Sequence, residues 1–218
     1  PSMSALFSKK ADGTFRTVLA VVLIGAAATI GGLMIFQRVP YGTGQQHEVG
    51  QPVQFDHRHH VKDDLIDCRY CHSSVEKAAS AGVPSTELCL NCHSQVWNKS
   101  PLLDVVRASW FKGQPIQWTR VHNLPHFVYF NHSIHVNKGV GCVECHGRVD
   151  RMPAIQQVAP LTMGWCLDCH RNPQPRLRPV EEITNMNWKP EGDPVALGQE
   201  LAKKYDVKPR VTCYTCHR

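Results

Sequence analysis

The sequence predicts a mostly α-helical and irregular fold with very little sheet, preceded by one transmembrane helix. Three observations predict it. All ten cysteines belong to CxxCH motifs, which number five. An uncharged apolar run of twenty residues stands near the amino terminus. Fifteen glycines and fifteen prolines mark the rest as rich in loops.

The five motifs are Cys68, Cys71, His72; Cys89, Cys92, His93; Cys142, Cys145, His146; Cys166, Cys169, His170; and Cys213, Cys216, His217. CxxCH is the attachment pattern for haem c. Two thiols bond the former vinyl groups on one porphyrin edge, and the adjacent histidine reaches the iron from its proximal side. Zinc held by paired CxxC units gives no reason for a histidine after every second cysteine, and five units leave one unpaired. A disulfide framework explains the even count but not the histidines. The motifs therefore predict five c-type haems and place the chain in the multihaem cytochrome c class. Roughly 36 residues serve each haem, so the porphyrins, wrapped by peptide, must supply most of the core. Short helices should sit at the motifs, with long irregular connections between them.

The formal charge of +6 invites a nucleic-acid or anionic-membrane reading. Five haems carry about ten propionates, which reverse that balance, so the arginines and lysines read as propionate partners. No basic cluster is interleaved with aromatics, and no nucleic-acid partner is expected.

Residues 17–36, "TVLAVVLIGAAATIGGLMIF", carry no charge and match a hydrocarbon core of about 30 Å. Lys9, Lys10 and Arg16 precede the run and Arg38 follows, which favours a cytoplasmic amino terminus. The expected organisation is a cytoplasmic tail at 1–14, a transmembrane helix at 15–37 and a pentahaem domain at 38–218 on the periplasmic side. A cleaved signal peptide is the alternative, with "GAAA" at 25–28 as its cleavage-like stretch. Gly25, Ala28 and Gly32 could form a close-packing face against another membrane helix.

Val53-Gln54-Phe55-Asp56-His57 matches Val128-Tyr129-Phe130-Asn131-His132. Each stretch leads to a CxxCH 12–13 residues after the Phe, and a second motif follows. The units run over about 53–93 and 128–170, a duplicated structural unit, with the fifth haem added at 205–218.

The F-x-H-x-x-H pair resembles that of class III cytochromes of the c3 and c7 type. The resemblance implies that both histidines are distal iron ligands serving two different haems. Helical positions i and i+3 lie on neighbouring lines of one face, so one turn can address two irons. The distal ligands are then His57, His60, His132 and His135, with His57 on the first haem and His132 on the third. His59 breaks the match with Ile134 and reads as solvent-facing or a propionate partner. The fifth haem's sixth ligand is sought among Met152, Met163, His122, His126 and His47, Met152 leading and His122 and Met163 its rivals. A methionine there would raise that haem's potential. Multihaem nitrite reductases carry a CxxCK, which this chain lacks.

In the insert at 94–128, Leu102, Leu103, Val106 and Trp110 recur at helical spacing. Trp97, Trp110 and Trp118 should cover haem edges or form a docking surface. Residues 172–210 read as an extended wrap, with "PVALGQELAKKY" a helix before the last motif.

The anchor, the five motifs, the doubled F-x-H-x-x-H and "VAPLTMGWCLDCHRNP" at 158–173 together resemble the pentahaem cytochrome c subunit of bacterial alternative complex III. The resemblance implies an electron wire in a menaquinol-oxidising membrane complex. Its implied partners are an iron–sulfur subunit of the molybdopterin-oxidoreductase type, polytopic quinol-binding subunits, another cytochrome c subunit, and a periplasmic cytochrome, copper protein or oxidase. No triad, phosphate loop or acid pair marks an independent enzyme. The rivals are a small membrane-anchored tetrahaem quinol dehydrogenase and a c7-like periplasmic shuttle.

Overall fold

The computed structural model describes residues 9–217, which fall into two units, one up to Thr43 and one from Gly44. The first is dominated by helix α1, Lys9–Phe36. Its apolar side chains are exposed, and it is long and apolar enough to cross a membrane. The helix begins before the apolar run; of the expected tail, residues 1–8 lie outside the described residues. Thr29 returns its hydroxyl to the Gly25 carbonyl at 2.8 Å, so this polar group needs no outside partner in an apolar medium. A short helix, α2, covers Pro40–Thr43.

The second unit is helical and irregular. Its described residues form no strand, only isolated bridges such as Val140 with Leu177. Every CxxC lies on a short helix: α3 (Cys68–Cys71), α4 (Thr86–His93), α7 (Val143–His146), α8 (Met163–Arg171) and α10 (Cys213–Cys216). Between them stand α5 (Asp104–Lys112), α6 (His132–Asn137) and α9 (Pro194–Lys204). Caps fix several starts. The Asp67 carboxylate accepts from Arg69 N, Asn131 from Ser133 N, and Asp193 from Val195 N ahead of Pro194.

The apolar core is thin, as expected of a haem-packed chain. One cluster joins Val53, Leu103 and Val106, with Leu90, Ile116 and Trp118 against it, and so seats α5 of the insert on α4. Leu103 and Val106 face inward, whereas Leu102 and Trp110 are half-exposed. Trp97 is exposed too, and of the three expected edge-covering tryptophans only Trp118 packs into this cluster. Leu177, Ile183 and Leu201 are also buried. Helix α9 meets the turn Gln174–Arg176 so closely that any Cβ at Gly198 would strike the Gln174 carbonyl.

The two units differ by one residue between ligand turn and first motif. Phe55 to Cys68 is a residue longer than Phe130 to Cys142. The second unit forms an ordinary α turn over His132–Asn137, but the first forms a π turn over Arg58–Asp63, with Asp64 N bonded to His59 O at 2.9 Å. A π turn accommodates an extra residue within a helical turn. The insertion is absorbed there, and the rings stay in register.

Many arginines are engaged by the chain's own acids. Arg58 bonds Asp56, Arg69 bonds Asp67 and Glu76, Arg107 bonds Asp104, Arg148 bonds Asp150, and Arg176 and Arg178 share Glu144. These six hold local geometry, a role that the propionate reading had not assigned them.

Candidate haem-binding site

Each ligand turn is a ring stack repeated in both units. Phe55 meets His57 edge-on at 4.7 Å and stacks on His60 at 4.4 Å. Phe130 does the same with His132 at 4.8 Å and His135 at 4.6 Å. The Phe thus orients two imidazoles away from each other, a role consistent with its presence in both copies.

The rings of these turns face histidines that follow the cysteines. His132 lies 6.3 Å from His146 with planes 8° apart. His60 lies 6.1 Å from His93, and His135 lies 6.0 Å from His170, each pair at 63°. Two imidazoles on opposite sides of one metal, each with a metal–nitrogen bond of about 2.0 Å, put ring centres about 6.3 Å apart. The three pairs therefore fit axial ligation of one iron each. His57 lies within electrostatic reach of His72.

Hydrogen bonds fix the tautomers. Nδ1 of His72 bonds the Gly82 carbonyl at 2.8 Å, His93 that of Val96 at 3.0 Å, His170 that of Arg210 at 2.8 Å, and His217 that of Phe127 at 3.0 Å. On the ligand turns His60, His132 and His135 bond the carbonyls of Asp56, Ala79 and Asn131. A carbonyl can only accept, so Nδ1 carries the proton and Nε2 keeps its lone pair for a metal. Exposed His59 instead bonds the Asp63 carboxylate, in keeping with a solvent-facing residue.

Burial favours the neutral form, the one that can ligate, at His57, His122, His135 and His146. It pushes the pKa of His57 down to about 4 and that of His146 to about 3, with neighbouring histidines adding to both. Burial likewise lifts the Cys145 thiol to about 12. None of the ten cysteines is paired in a disulfide. Among the described residues no group of three or more His, Cys, Asp or Glu could hold a bare metal ion. A cavity of about 410 Å³ opens at Cys71, Gly82 and Leu88, and another of about 230 Å³ at His93, Leu90 and Trp110. The donor set, two histidines plus a cysteine pair on one side, fits haem c.

The candidates for the fifth sixth ligand are scattered. His122 packs against His146 at 4.4 Å, with its Nε2 buried and unpartnered. Met152 is buried beside Gly147 of the third motif. Met163 and His126 are exposed. The ring beside His217 is Phe127 at 5.7 Å. What sequence reading missed here are the carbonyl acceptors, which belong to backbone and leave no residue signal.

The fold and the site fit a multihaem c-type cytochrome. Residues 128–218 match the family described as cytochrome c7 and related cytochrome c. The chain is 37% identical over 97 residues to the menaquinone reductase multiheme cytochrome c subunit of Nitratidesulfovibrio vulgaris, covering 44% of this chain and 45% of that one. It is 25% identical over 104 residues to an acrylate reductase cytochrome subunit of Shewanella woodyi, covering 48% and 62%. The chain thus spans less than two thirds of either relative. Both relatives are named as cytochrome subunits of reductases.

Proposed function

We propose that this chain is the pentahaem relay of a membrane complex that exchanges electrons between a quinone pool and a periplasmic carrier, of the alternative complex III type. The observation that carries the reading is the recurrence of histidine pairs at iron-bridging distance, 6.0–6.3 Å, each with one member beside a cysteine pair. When bound, each haem supplies a one-electron couple. The chain's own residues hold its edge through two thioethers, clamp its iron from both sides and set its surroundings.

In this reading His57, His60, His132 and His135 are sixth ligands of the first, second, third and fourth haems. Met152 is the thioether ligand nominated from the sequence for the remaining haem, although its burial beside Gly147 sets it against the third motif. The helix Lys9–Phe36 anchors the chain in the cytoplasmic membrane, with residues 38–218 on the periplasmic side. The partners are an iron–sulfur subunit, quinol-binding membrane subunits, a second cytochrome c subunit and a soluble acceptor or oxidase. The relative named for menaquinone reductase favours a second reading, in which electrons run toward the quinone.

Purification from native membranes, with mass spectrometry of the co-purifying subunits, tests the assignment. The expected result is detergent-dependent extraction with polytopic and iron–sulfur partners. Recovery of a lone, salt-soluble protein would overturn the complex.

A further inference from the structure

Numbering by sequence suggests that the haems run first to fifth. The geometry says otherwise. Resting on the haem reading above, we infer that the five attachment sites form one row in the order second, first, third, fourth, fifth. The ends, where electrons enter or leave, are then Cys89–His93 and Cys213–His217.

Four junctions define the row. The π turn joins second to first, because His60 faces His93 while His57 sits near His72. Cys71 and Leu88, the neighbour of Cys89, line one cavity. Helix α6 joins third to fourth in the same manner, with His132 facing His146 and His135 facing His170. Arg176, just beyond the fourth motif, bonds Glu144 inside the third at 3.2 Å.

The junction between the units links first to third. Asp67, next to Cys68, and Cys142 are both held to one short segment, so the first and third motifs lie side by side. Two adjacent residues strap this contact: the Ile183 carbonyl accepts from Cys142 N at 2.9 Å, and the Thr184 hydroxyl donates to Asp67 at 2.9 Å. Helix α6 also docks on the loop after the first motif, through His132 N to Ala79 O at 3.1 Å and Asn137 to Glu76 O at 2.9 Å.

The last junction joins fourth to fifth. His170 bonds the Arg210 carbonyl at 2.8 Å, three residues before Cys213. Along the row each step is a one-electron exchange between neighbouring ferrous and ferric irons, in which no bond forms or breaks.

Site-resolved redox titration by paramagnetic NMR tests the order, because neighbouring charges shift one another's potentials most. In the Cys89→Ala/Cys92→Ala chain, mass should show four macrocycles, and only the first haem's potential should move appreciably. A shift of the third haem as large as that of the first would overturn the order. A wild-type mass lacking macrocycles would instead sink the haem reading itself. Iron positions from anomalous diffraction of the intact chain give a second measurement, independent of whether the variant folds. The first iron should lie nearer the third than the second does, and the reverse would overturn the row.

Discussion

His135 offers the sharpest single perturbation. Its ring stands 6.0 Å from His170, stacks on Phe130 at 4.6 Å and bonds the Asn131 carbonyl at 2.8 Å. His135→Ala removes all three. The hydrogen bond contributes about 1 kcal/mol and the stack about 1 kcal/mol, a loss the rest of α6 can absorb with its Asn131 cap intact. The iron loses more, since nothing else on the turn replaces the imidazole. One site in five is affected, so about one-fifth of the ferric haem should become high-spin and five-coordinate. His135→Met should restore a low-spin iron at higher potential. Optical and magnetic circular dichroism spectra read the spin state, and protein mass reads the haem count. A wholly low-spin spectrum with five macrocycles attached would refute the assignment of His135, and with it the distance argument.

Ring orientation should divide the electron paramagnetic resonance spectrum. Near-parallel imidazoles at His132 and His146 should give a rhombic low-spin signal, and the two 63° pairs a signal with larger anisotropy; a single class of signal would refute the pairing. Arg178 is 4% exposed, bonds Glu144 at 2.9 Å and lies 4.9 Å from the Trp188 ring. Arg178→Met leaves Glu144 only the exposed Arg176 and should cost about 2–3 kcal/mol; an unmoved guanidinium chloride midpoint would count against it. Asp67 is held near pKa 2 by the Arg69 guanidinium, with Thr184 assisting against burial. Its folded pKa lies below its unfolded one, so its stabilisation is complete above roughly pH 4 and is lost toward pH 2. The carboxylate is 41% exposed, and screening keeps the effect below about 1 kcal/mol. Asp67→Asn should flatten acid unfolding over that window, and an unchanged slope would contradict the cause named. Met152→Leu should abolish the far-red charge-transfer band of a thioether-ligated ferric haem, whereas persistence of that band excludes Met152.

What the sequence made legible was local. CxxCH and F-x-H-x-x-H are short patterns whose chemistry demands fixed residues, so helix positions, ligand turns and the near absence of sheet could be read from them. The insert helix and the Pro194–Lys204 helix followed from periodicity and capping. Contacts between distant segments were not legible. The first motif meets the third because residues 183–184 bond Asp67 and Cys142, and no pattern in those two residues announces it. The scatter of His122, Met152 and Met163 has the same origin: nearness in sequence to a motif does not say which side of which iron a side chain reaches. The arginine pairings were hidden too, since an Arg two residues from an Asp is common in any loop.

The extra residue held in the π turn of Arg58–Asp63 separates two specifications that are one in the other copy. Ring placement is set by the Phe stack at the front of the turn. Linker length to the cysteines is a free variable, adjusted behind it. A builder of longer haem arrays could therefore vary the pitch between ligand turn and attachment site by widening a single helical turn, leaving the imidazole pair untouched.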